Sequence, residues 1–187
     1  MLYGKRIRLR SNERSDLPKF VEWLNDPDVR RFLLFSMPIS QASEEQWFEN
    51  ILKRKPEEQP LGIEIKDSGG WRLIGNCEIF DINWRMRSAE VGLFIGDKSC
   101  WNKGYGTEVM RLLLSHGFKT LNLNRIFLHV DAENLGGIRA YEKAGFVHEA
   151  RLREALFREG RYHDDLIMSV LRSEYPRKKR QPDDTDK

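Results

Sequence analysis

The stretch Ala89–Met110, AEVGLFIGDKSCWNKGYGTEVM, joins a strand to a helix through a glycine-punctuated loop. Val91, Leu93 and Ile95 occupy one side of an alternating run that stops at Gly96-Asp97. Val109, Leu112 and Leu113 then recur at helical spacing, with Met110, Leu114, Phe118 and Leu121 as a second stripe. The loop between them is Asn102-Lys103-Gly104-Tyr105-Gly106-Thr107. A strand, a glycine loop and a helix N-terminus together suit a phosphate. Glycines let backbone N–H groups approach the anion, the helix end contributes roughly half a positive charge, and Lys103 adds a cation. Two common phosphate loops fail on spacing. A P-loop needs Lys-Ser/Thr after its last glycine, and Gly106 is followed by Thr107-Glu108. A dinucleotide fingerprint needs a third small residue where Val109 stands.

Working outward, the chain has 187 residues, 40% of them hydrophobic, enough for one core. Residues 1–175 read as one domain and 176–187 as a charged, disordered tail. The net charge of +3 does not announce a nucleic-acid partner. Cys77 and Cys100 are too few for a disulfide framework, which points to free thiols in a reducing cytoplasm. No run approaches the roughly 20 apolar residues of a membrane span, so no membrane partner is expected. No ligand-spaced metal set is visible either: His116 and His163 lack partners, and His129 reads as a packed histidine in an apolar strand.

Upstream of the loop, Arg6–Arg10 is a strand in which Ile7 and Leu9 alternate with arginines. A helix starts at Ser15-Asp16 and carries Leu17, Phe20, Val21 and Leu24, until Asp26-Pro27 interrupts it. Ser43 with Gln46 forms a capping-box pattern ahead of Trp47, Phe48, Ile51 and Leu52. Strands follow at 61–66, 71–80 and 88–95, the first two joined by an Asp-Ser-Gly-Gly turn. Downstream, 125–130 is a strand that the helix makes parallel to 88–95, through a right-handed crossover. A short helix closed by Gly145 comes next, then a hairpin from 150–157 to 162–171 turned at Glu159-Gly160.

The run AEVGLFIGD followed by WNKGYGTE resembles the acetyl-CoA-binding motif of the GNAT N-acetyltransferases, most of all their ribosomal-protein alanine acetyltransferase (Rim-type) branch. Trp101, where the superfamily usually has Gln or Arg, suits that branch. Asn134-x-x-Gly137-x-x-x-Tyr141-Glu142-Lys143-x-Gly145-Phe146 is similar to the segment that grips the CoA arm in the same family. The resemblance covers roughly residues 6–172. It implies an α+β fold: a mixed, mostly antiparallel central sheet with a parallel strand–helix–strand acetyl-CoA site, flanked by helices. Acetyl-CoA is then the cosubstrate. Its implied contacts are Leu93, Phe94 and Ile95 on the strand, Trp101, Asn102, Lys103, Gly104, Tyr105, Gly106 and Thr107 on the loop, and Asn134, Gly137 and Lys143 beyond.

Acetyl transfer sets its own demands. An alkyl amine of pKa ~10.4 arrives protonated and must lose a proton before it attacks a thioester. The tetrahedral intermediate needs an N–H donor for its oxyanion, and a thiolate of conjugate-acid pKa ~8.5 leaves more easily when protonated. By resemblance, amides near Phe94 and Ile95 serve the oxyanion, Tyr141 protonates the thiolate, and Glu90 is the base. Glu78, Asp81, Asp131 and Glu133 compete with Glu90 but read as end-of-strand charges. Asp164-Asp165 either lines the amine pocket or marks a strand entrance. The aromatics Trp23, Phe32, Phe35 and Trp47 read as core that also walls an acceptor groove.

The acceptor is less legible. Seven acids face five bases between Asn25 and Pro60, which permits a cationic amine without demanding one. The Rim-type resemblance favours a protein or peptide N-terminal amine, whose pKa of ~7.7–8 asks less of a base. The alternatives are a small amine (polyamine, amino sugar or aminoglycoside) and a CoA-binding module without catalysis. The resemblance also brings a homodimer into view. Arg177-Lys178-Lys179-Arg180, beside Asp183, Asp184 and Asp186, reads as a solvated tail rather than an RNA-binding patch.

Overall fold

The computed structural model describes residues 1–33 and 35–175. The tail expected at 176–187 lies outside the described residues. In chain order the elements are β1 (Leu2–Tyr3), β2 (Ile7–Ser11), α1 (Leu17–Asn25), α2 (Pro27–Arg30), α3 (Gln41–Ile51), β3 (Leu61–Asp67), β4 (Gly70–Asn83) and β5 (Ser88–Ile95). They continue as α4 (Tyr105–Lys119), β6 (Arg125–Asp131), α5 (Leu135–Ala144), β7 (Val147–Arg158) and β8 (Arg161–Leu171). The strands form one sheet in the order β1-β2-β3-β4-β5-β6-β8-β7. Every neighbouring pair is antiparallel except β5 and β6, which are parallel across α4. This is the expected mixed α+β architecture.

The period of two along each central strand divides the sheet into two faces. Ala89 and Val91 of β5, Ile126, Leu128 and Val130 of β6, and Met168 and Val170 of β8 point to one face. Val109, Met110, Leu113, Leu114 and Phe118 of α4 and Tyr141 of α5 pack onto them in the same buried cluster. The opposite face carries a smaller cluster in which Leu17, Phe20, Trp23 and Leu24 of α1 meet Phe48 and Ile51 of α3, with Phe94 of β5 packed against them. Fully burying each such side chain stabilises by roughly 1.5–3 kcal/mol. The small cluster stops at β5, so the face of β6 and β8 beyond it keeps its polar groups.

Several local readings shift. The helix α3 starts a turn before the expected Ser43: Ser40 accepts from the Ser43 amide at 3.0 Å, and Ser43 Oγ accepts from the Ser40 amide at 3.0 Å. A Ser-x-x-Ser box closes both orphan donors as Ser43 with Gln46 would have done. The arginines that alternate with Ile7 and Leu9 are not simply solvated. Arg8 and Arg10 both donate to the buried Glu64 of β3, at 2.5 and 2.8 Å, and Arg10 also grips Asp16 at the start of α1 through two bonds of 2.6 and 2.8 Å. Both cysteines are free and buried.

One backbone approach fixes β5 against β4. Gly75 stands opposite Ile95, and a Cβ at Gly75 would lie 2.1 Å from the Phe94 carbonyl oxygen. No side chain fits there, and the obstacle is backbone that cannot rotate away. We expect Gly75→Ala to destabilise the fold by about 3 kcal/mol, as overpacking does. Urea unfolding checks this, and an unchanged midpoint would refute the close approach.

Candidate active site

The site begins where the parallel pairing ends. β5 and β6 pair only through Ser88, Ala89 and Glu90 against Arg125, Ile126 and Phe127. Beyond them β5 stays with β4 as far as Ile95, and β6 turns with β8 as far as Asp131 opposite Asp165. The two strands part into a wedge, and a cleft of about 1590 Å³ passes through it. Its walls are β5, the loop before α4, α5, and the α1–α3 segment on the other face.

Of the residues singled out from sequence, Glu90, Leu93, Phe94, Ile95, Trp101, Asn102, Gly104, Tyr105, Gly106, Thr107, Asn134, Gly137, Tyr141 and Lys143 line this one cleft. Lys103 does not. Its carbonyl accepts from Arg6 Nη1 at 2.9 Å, which ties that residue to β2's approach outside the cleft. Arg6 also binds Glu108 through its amide and its Nε, at 2.8 and 3.0 Å, and its guanidinium lies 4.7 Å from the Tyr105 ring centre. Sequence reasoning missed this brace, whose partners are 102 residues apart.

Each loop residue has a structural task as well. Gly104 caps α4 in the left-handed region at φ 81°, and Asn102 is left-handed at φ 58°. Two left-handed residues this close together turn the chain sharply into the helix start. Trp101 Nε1 donates to the Ile95 carbonyl at 2.7 Å and so closes the end of β5. Thr107 donates to the Ala140 carbonyl at 3.1 Å, linking α4 to α5. Asn134 caps α5 by accepting from the Gly137 amide at 2.9 Å. Tyr141, one turn from the end of α5, is buried against Phe146 with ring centres 6.0 Å apart. Burial pushes its hydroxyl up to about 12, so it is protonated at neutral pH.

The other face of the wedge is lined by acids. Glu90 and Glu78 project from β5 and β4, and burial raises the carboxyls of both. Glu78 therefore belongs to the cleft rather than to a solvated strand end, with Arg54 3.5 Å away. Glu44, on α3, is buried, and desolvation raises its carboxyl to about 7. Among the described residues neither Glu44 nor Glu90 makes an ion pair. Asp131 and Glu133 differ: Arg158 donates to them at 2.9 and 3.3 Å, and His163 Nδ1 stands 3.4 Å from the same guanidinium. These three potential metal-binding side chains are thus arranged around an arginine's charge.

His129 corrects another reading. It is not packed among apolar side chains but 39% exposed in the cleft wall, with Nδ1 2.6 Å from Asp165 Oδ2. The Asp164-Asp165 pair divides: Asp164 binds Arg151 at 2.5 Å, and Asp165 is buried beside His129. Among the aromatics, Trp23 is core, whereas Phe32 and Phe35 line the cleft.

A family profile described as an acetyltransferase (GNAT) domain matches residues 6–147. The chain is 33% identical over 172 residues to the spermidine N(1)-acetyltransferase of Vibrio cholerae, which covers 92% of this chain and 96% of that protein. It is 30% identical to p20 of Bacillus licheniformis, an uncharacterized N-acetyltransferase, over 93% of this chain and 97% of p20. The crystal structure of spermidine N-acetyltransferase from Vibrio cholerae in complex with CoA and spermine superposes with a TM-score of 0.82 at 31% identity, covering 92% of this chain and 99% of that one. The likeness is thus to spermidine acetyltransferases rather than specifically to the Rim-type branch. Among the described residues no helix is long and apolar enough to cross a membrane.

Two outcomes follow from this geometry. Replacing Gly104 with valine forces a β-branched residue into the left-handed region, at about 1–2 kcal/mol, and we expect weaker acetyl-CoA binding by calorimetry. Unchanged affinity would remove the loop from the site. For Glu44, the folded chain retains a proton up to about pH 7 that the unfolded chain releases near its ordinary value of 4.5. Stability attributable to this group is therefore present at acid pH and lost as pH rises between those values. Glu44→Gln should raise the Tm at pH 8 relative to wild type and leave it nearly unchanged at pH 4.5. Equal Tm differences at both pH values would contradict a desolvated carboxyl.

Proposed function

The chain belongs to the GNAT acetyltransferases, and on that premise we propose that its acceptor is a polyamine. It is an acetyl-CoA-dependent N-acetyltransferase; the proposal concerns the amine. The observation that carries it is the pair of cleft carboxylates, Glu44 and Glu90, on separate elements and, among the described residues, without a lysine or arginine partner. A carboxylate held out of water without a counter-charge is destabilising, and a ligand with several ammonium groups relieves it at each site. A protein N-terminus, the acceptor first expected, brings one α-ammonium to a cleft that presents separated negative charges. The named activity of the Vibrio cholerae relative, and the spermine in its crystal structure, support the same choice.

The residues fit acetyl-CoA as cosubstrate by the chemistry of their donors. β5 carries backbone groups from Val91 to Ile95 that no strand pairs on the wedge side, suited to an amide-bearing arm lying alongside. The left-handed loop at Gly104 offers N–H groups to phosphate at the start of a 15-residue helix. Acetyl-CoA supplies the activated acetyl thioester.

The chain's own groups then divide the work. Glu90 and Glu44 hold ammonium groups on the acceptor face. Amides at Phe94 and Ile95 are assigned to the oxyanion. Tyr141, protonated at neutral pH, gives its proton to the departing thiolate.

A thiol-release assay tests the acceptor. The panel holds spermidine, spermine, putrescine, amino sugars, an aminoglycoside, and peptides beginning with Ala, Ser or Met. We expect at least tenfold higher kcat/KM for polyamines than for any peptide; a peptide in first place would overturn the assignment. Tyr141→Phe should lower kcat by about 10²-fold with acetyl-CoA affinity kept. Unchanged kcat would remove Tyr141 from the chemistry.

A further inference from the structure

The acceptor must lose a proton before attack, and Glu90 is poorly suited to take it. A carboxylate beside an ammonium stabilises the charged form of the amine. It binds the acceptor and at the same time opposes its activation. The acceptor face holds a second group of different chemistry. His129 lies on β6 two residues beyond Phe127, the Cα partner of Glu90, so Glu90, Phe127 and His129 project from one face of the sheet. Asp165 of β8 reaches the same face, because His129 pairs with Ile167 two positions along.

Asp165 is 5% exposed and its Oδ2 is 2.6 Å from His129 Nδ1. An ionised carboxylate only accepts, so Nδ1 carries the hydrogen, and in a neutral ring Nε2 keeps the lone pair. Among the described residues Nε2 has no hydrogen-bond partner, and the ring forms part of the cleft wall. The Phe127 ring, 6.1 Å away and nearly perpendicular, limits how the imidazole can tilt. The charged groups shown near it are carboxylates on separate elements, Glu90 on β5 and Asp165 on β8, and Asp81 of β4 faces Glu90 in turn. An imidazolium formed there has counter-charges on two sides.

We propose that His129, oriented by Asp165, is the base that accepts the proton of the acceptor ammonium, while Glu90 anchors the acceptor's charge. The inference rests on acetyl transfer to an ammonium-bearing acceptor, whichever amine that proves to be. The proton balance closes. The R–NH3⁺ group gives one proton to Nε2, and the freed amine attacks the thioester carbonyl. As the C–N bond forms and the C–S bond breaks, the thiolate takes a proton from Tyr141, and the nitrogen's second proton passes through solvent in the cleft to the Tyr141 phenolate. His129 passes the first proton to solvent, so one proton is released per turnover. In this scheme Asp165 is a positioning residue: it fixes the tautomer and touches no reacting atom.

The test uses the full chain and the best amine from the panel above, so that a wrong polyamine assignment shows in the ranking of wild-type substrates and not in the variants. We expect His129→Ala to lower kcat by 30- to 100-fold, with acceptor KM within threefold of wild type. Added imidazole should restore a tenth or more of the lost rate. Asp165→Asn should lower kcat by 10-fold or more. In His129→Gln the acidic limb of the kcat profile should disappear. Thermal unfolding and acetyl-CoA binding at wild-type values confirm that each variant is folded. A His129→Ala enzyme with kcat within threefold of wild type would overturn the proposal. So would a slow variant that imidazole does not rescue and whose acidic limb is retained, because His129 would then be only structural.

Discussion

Beyond Glu90 and Phe127 the parallel pair β5–β6 stops exchanging hydrogen bonds, and each strand continues with a different partner. Backbone groups in a protein interior need partners, so this parting constrains everything around it. On the β4 side, the close approach at Gly75 holds β5 in place and Trp101 closes its last carbonyl. On the other side β8 holds β6 over seven paired positions. The gap that results joins the two faces of the sheet. One face presents Tyr141 and the α4 loop; the other presents Glu44, Glu78, Glu90 and His129. The roles proposed for Tyr141 and for the cleft acids thus fall to opposite layers that meet at the strand separation.

The two layers differ in how their charges are satisfied. Near β2, Glu64 and Asp16 are each gripped by arginine and serve the fold. Around Arg158, Asp131 and Glu133 are likewise compensated. Glu44 and Glu90 are left without such partners, on the face where a cationic acceptor would enter. A desolvated carboxylate lowers stability, so these two residues weaken the free protein. If the acceptor is the polycation proposed, this is a local trade of stability for recognition.

Much of the fold was legible because its signals are local. The alternation in 88–95, the helical stripe after Gly106 and the glycine at 145 each depend on neighbours within a few residues. That the glycine loop lines the cleft was legible for the same reason; that Lys103 does not was not, since its carbonyl is tied to Arg6 from the far end of the chain. The acceptor face was the harder part. His129 looked like a packed strand residue, since its neighbours Leu128 and Val130 are core. Its actual surroundings come from β8, 36 residues later, through a register that no local pattern reveals. The Ser40 cap was missed for a smaller reason: two overlapping serine boxes satisfy the same donors, and propensity alone does not rank them.

The parted strands also have a thermodynamic consequence. From Val91 to Ile95, β5 is paired along one edge only, so a ligand that lies along the other edge completes a sheet as well as occupying a site. Anything that binds only the native chain enters its folding equilibrium, and at a hundredfold excess over Kd it adds about 2.7 kcal/mol. That is a sizeable share of the 5–15 kcal/mol that holds a typical domain together. A cosubstrate that lies along this edge would therefore also protect the chain against heat and proteolysis.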